Sequence, residues 1–510
     1  MNIRLKQPNW PWDPERYRFP VEQMLLTLFP EEKPIYPDTT YPDTPLNIPA
    51  GERGVVITLS RGEKFTTVSA GVTLAGRSGR GTARFPSEKL DERSEQVYHT
   101  VSHALKQAFY RAGTALLGYE LPWGSLTGVR PVKLPTKAML AGKTPKQARR
   151  ELEREYRVSP PRAALAVECA QAALDVQKKL QKDGLSLYLG VPFCPTRCAY
   201  CSFISADIKG SLARVEPYVD ALCREIEFAG ALLRENGLHI SSAYMGGGTP
   251  TTLTAGLLDR VLACMERALP MERCTEFTVE AGRPDTLTAD KLEILKAHQI
   301  HRISINPQTM EDSVLRAIGR DHTAAQIEKA MELAGQHFGG LVNMDLIAGL
   351  PTDTRQGFRR TLDRVLAMGP ANLTVHTLAL KKGSRLIGDG GALPAPEDVE
   401  AMLALASDRL RGAGYAPYYL YRQKYMSGSF ENVGWTKPGA VCAYNIVMME
   451  ELQTVLSLGA GGVTKLVDPD NGRIIRLNNP KYAKEYLESW DKIAADKRHA
   501  AAFQAALYTL

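Results

Sequence analysis

From residue 185 onward, short apolar and β-branched runs alternate with longer segments whose apolar positions recur every three to four residues. The strand candidates are Leu185–Val191, Ile240–Met245, Glu276–Glu280, Arg302–Asn306, Val342–Ile347 and Leu373–Leu380. Helices are expected at 212–235, 254–269, 288–298, 311–317 with 323–336, and 354–368. In the second of these, Leu257, Leu258, Val261, Leu262 and Met265 form an apolar side, and Asp259, Glu266 and Arg267 lie opposite. Six strand–helix units in series imply parallel strands with right-handed crossovers. An eight-fold closed barrel needs two more units, so the pattern reads as an α/β fold, a partial (β/α)6 barrel open on one side. Ligands of such folds sit at the carboxyl ends of the strands.

The flanking segments have a different texture. Residues 1 to about 50 are rich in Pro, Asp and Tyr and read as extended or loop structure. Val55–Leu59 and Thr66–Val72, separated by Arg61-Gly62-Glu63, look like a hairpin. Residues 96–117 have helical spacing, and more helix is expected from about 137 to 182. After 395 the alternation stops: 398–413 and 480–505 read as helix around a Gly-rich, aromatic stretch at 418–465. A chain of 510 residues is too long for one core. The expected division is an N-terminal α+β domain at 1–140, a helical connector at 141–182, the barrel at 183–395 and a small C-terminal domain at 396–510.

The formal charge of +7 changes this picture little, because no arginine-rich run or aromatic-basic stripe accompanies it, and no nucleic acid is expected as a partner. No apolar run reaches the length of about 18 residues that a membrane span needs. The first residues lack the apolar core of a signal peptide, so a cytoplasmic location is expected. The eight cysteines are unevenly placed: Cys194, Cys198 and Cys201 share one short segment, while Cys169, Cys223, Cys264, Cys274 and Cys442 are scattered. Such clustering in a cytosolic chain favours metal over disulfide.

The segment Cys194-Pro195-Thr196-Arg197-Cys198-Ala199-Tyr200-Cys201 directly follows the first barrel strand. Three thiolates on one loop can hold three irons of a [4Fe–4S] cubane and leave the fourth iron open. That iron can chelate the amino and carboxylate groups of S-adenosylmethionine (SAM). A zinc site is the alternative, but zinc takes four ligands, usually as two pairs, and no second Cys or Cys/His pair lies nearby. Met245-Gly246-Gly247-Gly248-Thr249-Pro250-Thr251 ends the second strand, and its glycines would let the backbone approach a ligand; a tight turn is the plainer reading. Glu280 ends strand three, Gln308 follows strand four and Asp345 lies in strand five, where a carboxylate among apolar residues needs a partner. Arg320 could fork onto a carboxylate, and an internal Arg320–Asp345 pair is the structural alternative. His376 reads best as a satisfied core histidine and His322 is uncommitted. Cys169, Cys223, Cys264 and Cys274 read as packing residues.

Together, YLGVPFCPTRCAYCSFIS, MGGGTPT, TVEAGRPD, RISINPQTM, IGRDHT, DLIAGLPTDT and LGAGGVTK resemble the oxygen-independent coproporphyrinogen III oxidase family of radical SAM proteins. The likeness covers roughly 183–465, and WGSLTGVRPVK in the N-terminal extension is similar to its HemZ-type branch. The resemblance implies a radical SAM partial barrel in which Cys194, Cys198 and Cys201 bind the cluster. It implies that Tyr188 flanks SAM, that Gly247, Gly248 and Thr249 contact it through their backbone, and that Glu280, Gln308, Arg320 and Asp345 bind it. Tyr200 and Ala379 match weaker contacts. The implied reaction converts two propionates of coproporphyrinogen III to vinyl groups, giving protoporphyrinogen IX in haem biosynthesis. The electron donor would be a flavodoxin or ferredoxin. Lys381, Lys382, Arg385, Arg422 and Lys424 are candidate cations for the substrate carboxylates. Two positions depart from the family. Phe203 stands where the oxidases carry a further cysteine, as in relatives that handle haem without oxidising porphyrinogen. Those relatives carry a His-Asn-x-x-Tyr-Trp motif, where this chain has Tyr444-Asn445-Ile446-Val447-Met448-Met449. The alternative expectation is therefore a haem-binding or haem-transfer protein without oxidase turnover.

Overall fold

In the computed structural model, residues 1–6, 14–36, 53–90, 94–201, 206–380, 386, 393–423 and 427–508 are described. The chain folds as two compact units, Met1–Val167 and Glu168–Leu510. In the first, β1 (Asn2–Lys6), α1 (Arg18–Leu28), β2 (Gly54–Arg61), β3 (Phe65–Leu74), β4 (Arg77–Pro86) and α2 (Glu95–Leu117) form a four-stranded sheet in the order β1-β2-β3-β4 with helices on it. The β2–β3 hairpin is where the alternation predicts it. Strand β4 (RSGRGTARFP) has too little apolar periodicity to announce itself, and the structure gives the reason. A Cβ on Gly79 would lie 2.1 Å from the Ala112 carbonyl oxygen, and one on Gly81 2.3 Å from that of Ala108. The strand therefore presents bare backbone to α2. Helix α1, placed in a segment read as loop, buries Val21, Met24, Leu25 and Leu28 at helical spacing among Pro-rich neighbours that obscure the pattern. Helices α3 (Lys133–Leu140) and α4 (Pro145–Glu155) follow, the latter opened by a Thr144/Gln147 capping box. The boundary between the units falls inside α5 (Pro160–Gln177).

The second unit is built on β5 (Gly184–Val191), the short pair β6 (Phe193–Cys194) and β7 (Ala206–Asp207), α6 (Leu212–Glu235), β8 (His239–Gly247), α7 (Ala255–Ala268), β9 (Glu276–Glu280), α8 (Ala289–Ala297), β10 (Arg302–Ser304), α9 (Asp312–Ala317), α10 (Ala324–His337), β11 (Leu341–Ala348), α11 (Arg355–Met368) and β12 (Asn372–Thr377). The neighbours β5-β8-β9-β10-β11-β12 are all parallel, which is the six-stranded series read from the sequence. The last part of the chain contributes α12 (Pro396–Gly412), β13 (Ala416–Tyr421), β14 (Asn432–Thr436), α13 (Ala443–Glu450), β15 (Val455–Leu458), β16 (Val463–Val467), β17 (Ile474–Asn478), α14 (Ala483–Glu488) and α15 (Trp490–Tyr508). Its strands extend the same sheet at both edges, giving the eleven-stranded order β13-β14-β12-β11-β10-β9-β8-β5-β15-β16-β17. Among the described residues no helix is long and apolar enough to cross a membrane.

The loop after β15 is locked against the end of β5. Tyr218 on α6 donates to the Gly190 carbonyl at 2.6 Å and accepts from the Ala460 N–H at 2.9 Å. Glu225, fully buried on the same helix, accepts from the Gly459 N–H at 2.7 Å, from Asn479 at 3.0 Å and from the Tyr486 hydroxyl, and pairs with buried Lys497 at 3.0 Å. A buried ion whose partner is removed is strongly destabilising. Glu225→Gln is expected to lower unfolding free energy by about 3–5 kcal/mol, read as a fall in the urea midpoint.

Candidate active site at the strand ends

Alternation along the barrel strands separates polar from apolar side chains. Leu187 and Leu189, Ala243 and Met245, Phe277 and Val279, Met344 and Leu346, and Leu373 and Val375 are buried on one face. The opposite face carries Ser186 and Tyr188, Ser242 and Tyr244, Glu276 and Glu280, Arg302, Asn343 and Asp345, and Thr374 and His376. These inward residues meet one another. At the amino ends of the strands, Arg302 donates to Asn343 at 2.8 Å, to Asn372 and to the Ala440 carbonyl at 3.0 Å, with Glu276 3.7 Å away. Glu276 also accepts from the Cys442 thiol at 3.0 Å and from the Ala443 and Tyr444 N–H groups at 3.2 and 3.4 Å. That carboxylate anchors the start of α13 and sets Tyr444 against Tyr244, ring centroids 4.8 Å apart; Tyr244 in turn stacks on Tyr188 at 6.4 Å.

The cysteine segment emerges at the other end. Val191 closes β5, and the chain turns through β6 so that Cys194 Sγ lies 3.5 Å from Thr249 Oγ1. The glycine segment makes this possible. The Gly248 N–H donates to the Val191 carbonyl and the Thr249 N–H to the Phe193 carbonyl, both at 2.7 Å. A Cβ on Gly248 would sit 2.4 Å from the Phe193 oxygen, and Gly247 has φ of +110°. The close approach these glycines permit is to the cysteine loop itself. Cys198 is buried and Cys194 and Cys201 are half-buried; none of the eight cysteines is in a disulfide. Among the described residues, no three His, Cys, Asp or Glu side chains converge to hold a single metal ion. The cysteines of a cubane need not converge, because each binds a different iron.

Of the remaining expected residues, Tyr200 lies on this loop and Arg320 beside it. Arg320 donates to the Asn306 carbonyl and lies close enough to Cys198 and Tyr200 for its charge to act on both. The Arg320–Asp345 pair is thus absent; Asp345 instead lies 3.6 Å from His376. His376 points inward, not into the helical layer, with Nδ1 3.4 Å from the Tyr421 hydroxyl. Of the two directions open in the sequence it takes the inward one, with protein partners there: a strand's two faces are equivalent until its neighbours are known. Gln308 has φ of +65°, a left-handed value uncommon for a side-chain-bearing residue. Its N–H donates to the Asp345 carbonyl at 2.9 Å and its carbonyl accepts from Ile347 at 3.0 Å, which pins it beside β11. Glu280 accepts from the Tyr244 hydroxyl at 2.6 Å. Ala379 lies two residues beyond β12, half-buried. His322 is buried, and burial with the nearby Arg320 and Arg283 charges holds its imidazole down at about 3. Arg422 is buried and donates to the Ser429 carbonyl at 3.1 and 2.9 Å. Phe203, Lys381, Lys382, Arg385 and Lys424 lie outside the described residues.

Several buried polar atoms here lack a protein partner among the described residues: Asn306 Oδ1, Gln308 Oε1, Arg320 Nε, both His322 nitrogens and the Tyr444 hydroxyl. An unpaired buried polar group costs about 1–3 kcal/mol. A run of them beside a three-cysteine loop suits a polar ligand, and this donor set fits a cluster with SAM.

Residues 188–365 match the family model described as the Radical SAM superfamily, a span that holds the three cysteines, Tyr188, Tyr200, Gly247, Gly248, Thr249, Glu280, Gln308, Arg320 and Asp345, while His376, Ala379, Arg422 and Tyr444 lie beyond it. A Bacillus subtilis protein described as oxygen-independent coproporphyrinogen-III oxidase-like protein HemZ is 37% identical over 449 residues, covering 87% of this chain and 89% of that one. The chain belongs to this family of radical SAM proteins. The heme chaperone HemW of Escherichia coli is 27% identical over 61% of this chain and 80% of its own length. Coproporphyrinogen III oxidase (HemN) of Escherichia coli is similar in fold, with a TM-score of 0.50 and 24% identity over 64% of this chain and 73% of that chain.

The HemZ-like chain carries three residues in this region that sequence reasoning did not single out: Tyr244, Arg283 and Tyr444 in its aromatic role. Tyr244 was legible in principle, since it directly faces Tyr188 across the β5–β8 register. Burial pushes the Glu280 carboxyl up from 4.5 to about 7, with the Tyr244 hydrogen bond opposing and the Asp345 charge adding. Between those values the folded protein holds a proton that the unfolded chain has released, so this contribution to stability falls as pH rises through the window. Glu280→Gln is expected to flatten the pH dependence of the urea midpoint over that range.

Proposed function

We propose that this HemZ-like protein binds a [4Fe–4S] cluster on Cys194, Cys198 and Cys201 and SAM against it, and acts as an oxygen-independent coproporphyrinogen III dehydrogenase. The observation that supports the reading is the cysteine loop seated on the glycine segment, Cys194 beside Thr249 and Glu280 beside Gly246, with Gln308 Oε1 and Arg320 Nε buried without protein partners among the described residues. When bound, the cluster and SAM would supply one-electron, hydrogen-abstracting chemistry. The substrate change is –CH2–CH2–COO⁻ to –CH=CH2 at two of four propionates, each releasing CO2, a hydrogen atom that would pass to the SAM-derived radical, and one electron that would pass to an external one-electron acceptor.

The chain's own residues have separate tasks in this reading. Gln308 Oε1, Glu280 and Asp345 offer acceptors to the ammonium and hydroxyl groups of SAM, and Arg320 offers a guanidinium to its carboxylate or to the cluster loop. Tyr188 and Ala379 complete the wall, and Tyr200 closes over Cys198. The stacked Tyr188, Tyr244 and Tyr444 rings form an apolar, water-poor side on which a tetrapyrrole could lie. The polypeptide works in the cytoplasm with a flavodoxin- or ferredoxin-type donor.

A second reading, haem binding or transfer without turnover, draws on the likeness to heme chaperones and on Phe203. Anaerobic protein should hold about four irons with broad absorption near 400 nm, and the Cys194→Ala, Cys198→Ala, Cys201→Ala triple variant should hold none. Incubation with SAM, reductant and coproporphyrinogen III is expected to give divinyl product with release of CO2. Absence of vinyl product together with a haem-dependent Soret band would replace the oxidase reading with the haem-transfer one. Zinc or no metal after reconstitution would remove both.

A further inference from the structure

Arg283 follows β9 by three residues and is 3% exposed. Its Nε and Nη2 donate to the Asp285 carboxylate at 3.0 and 3.4 Å. With that edge committed, Nη1 is directed at the cysteine loop, 3.0 Å from Thr196 Oγ1 and 3.9 Å from Cys198 Sγ. Thr196 lies midway between Cys194 and Cys198, so one planar guanidinium ties the middle of the loop and its second cysteine to the end of β9. A lysine would present a single rotating point charge and could not span these three partners.

We infer that Arg283 is a positioning residue for the cluster loop and a charged N–H donor that tunes the cluster through the Cys198 sulfur; this rests on the cluster reading proposed above. Hydrogen bonds to cluster sulfurs, and positive charge near them, stabilise the more negative reduced state and raise the reduction potential. The Asp285 carboxylate orients the guanidinium, and its side chain is 30% exposed, so solvent screens its opposing charge more than that of the arginine. Arg320 also lies near Cys198, but its proposed contact with SAM would confound a potential measured on its variants, whereas the Arg283 side chain hydrogen-bonds, among the described residues, only to the loop and Asp285.

The test uses full-length, anaerobically reconstituted protein and two readouts besides turnover: iron retained during chelator challenge, and midpoint potential from an EPR-monitored titration. Arg283→Met keeps the stem and removes the donors. It is expected to lose iron several-fold faster than the parent. Its reduced-to-oxidised ratio at fixed potential should fall about tenfold, a shift of about 59 mV for a one-electron couple. Thr196→Val removes only the brace and is expected to speed iron loss while leaving the potential unmoved. If Arg283→Met fails to fold by circular dichroism, Arg283→Lys takes its place, with a smaller shift in the same direction. A folded Arg283 variant with the parent's potential overturns the inference, and so does a Thr196→Val potential that falls as far as that of Arg283→Met. A parent protein that takes up no cluster overturns the cofactor reading instead.

Discussion

Two backbone hydrogen bonds, from the N–H groups of Gly248 and Thr249 to the carbonyls of Val191 and Phe193, fix the relation between the cysteine loop and the barrel. They require the second strand's exit to lie in backbone contact with the first strand's exit, which only residues without a Cβ allow at Gly247 and Gly248. Every other feature of the candidate site is arranged around that junction. Cys194 lies against Thr249, Arg283 reaches Thr196 and Cys198 from beyond β9, and Arg320, held on the Asn306 carbonyl, bears on Cys198 and Tyr200 through its charge.

The barrel interior is polar to an extent that its apolar strands disguise. Each strand places leucine, valine or methionine outward under the helices and serine, tyrosine or a charged group inward. Burial of those inward groups is tolerated because they bond to one another across strands. Glu276 and Arg302 close the amino end with two asparagines, and Tyr244 and Glu280 meet nearer the loop. Gln308 Oε1, Arg320 Nε and both His322 nitrogens, beyond the carboxyl end of β10, have no protein partner among the described residues. The base keeps orphans of its own, at Arg302 Nε, Asn372 Nδ2 and Thr278 Oγ1, so what distinguishes the carboxyl end is the cysteine loop beside it.

The C-terminal segment contributes to that wall from outside the strand–helix series. Helix α13 carries Tyr444 onto Tyr244, and β13 brings Tyr421 to His376. The loop after β15 braces the end of β5 through Tyr218 and Glu225. Two of these contacts link residues more than two hundred positions apart, from Ala460 to Tyr218 and from Gly459 to Glu225.

The six-strand series and the cysteine loop were legible because each depends on local pattern: alternation sets a strand, heptad-like spacing sets a helix, and three cysteines on one turn need no partner elsewhere in the chain. Strand β4 and helix α1 escaped that reading, since glycines chosen for contact with α2 and prolines flanking α1 carry no periodic signal of their own. The direction of His376, the partner of Asp345 and the bond from Arg283 to the cysteine loop were decided only by tertiary structure. A strand residue has two faces, and an arginine on a loop can reach many carboxylates and thiols. Which face turns inward, and which group is within reach, is set by the neighbouring strands that the folded sheet supplies.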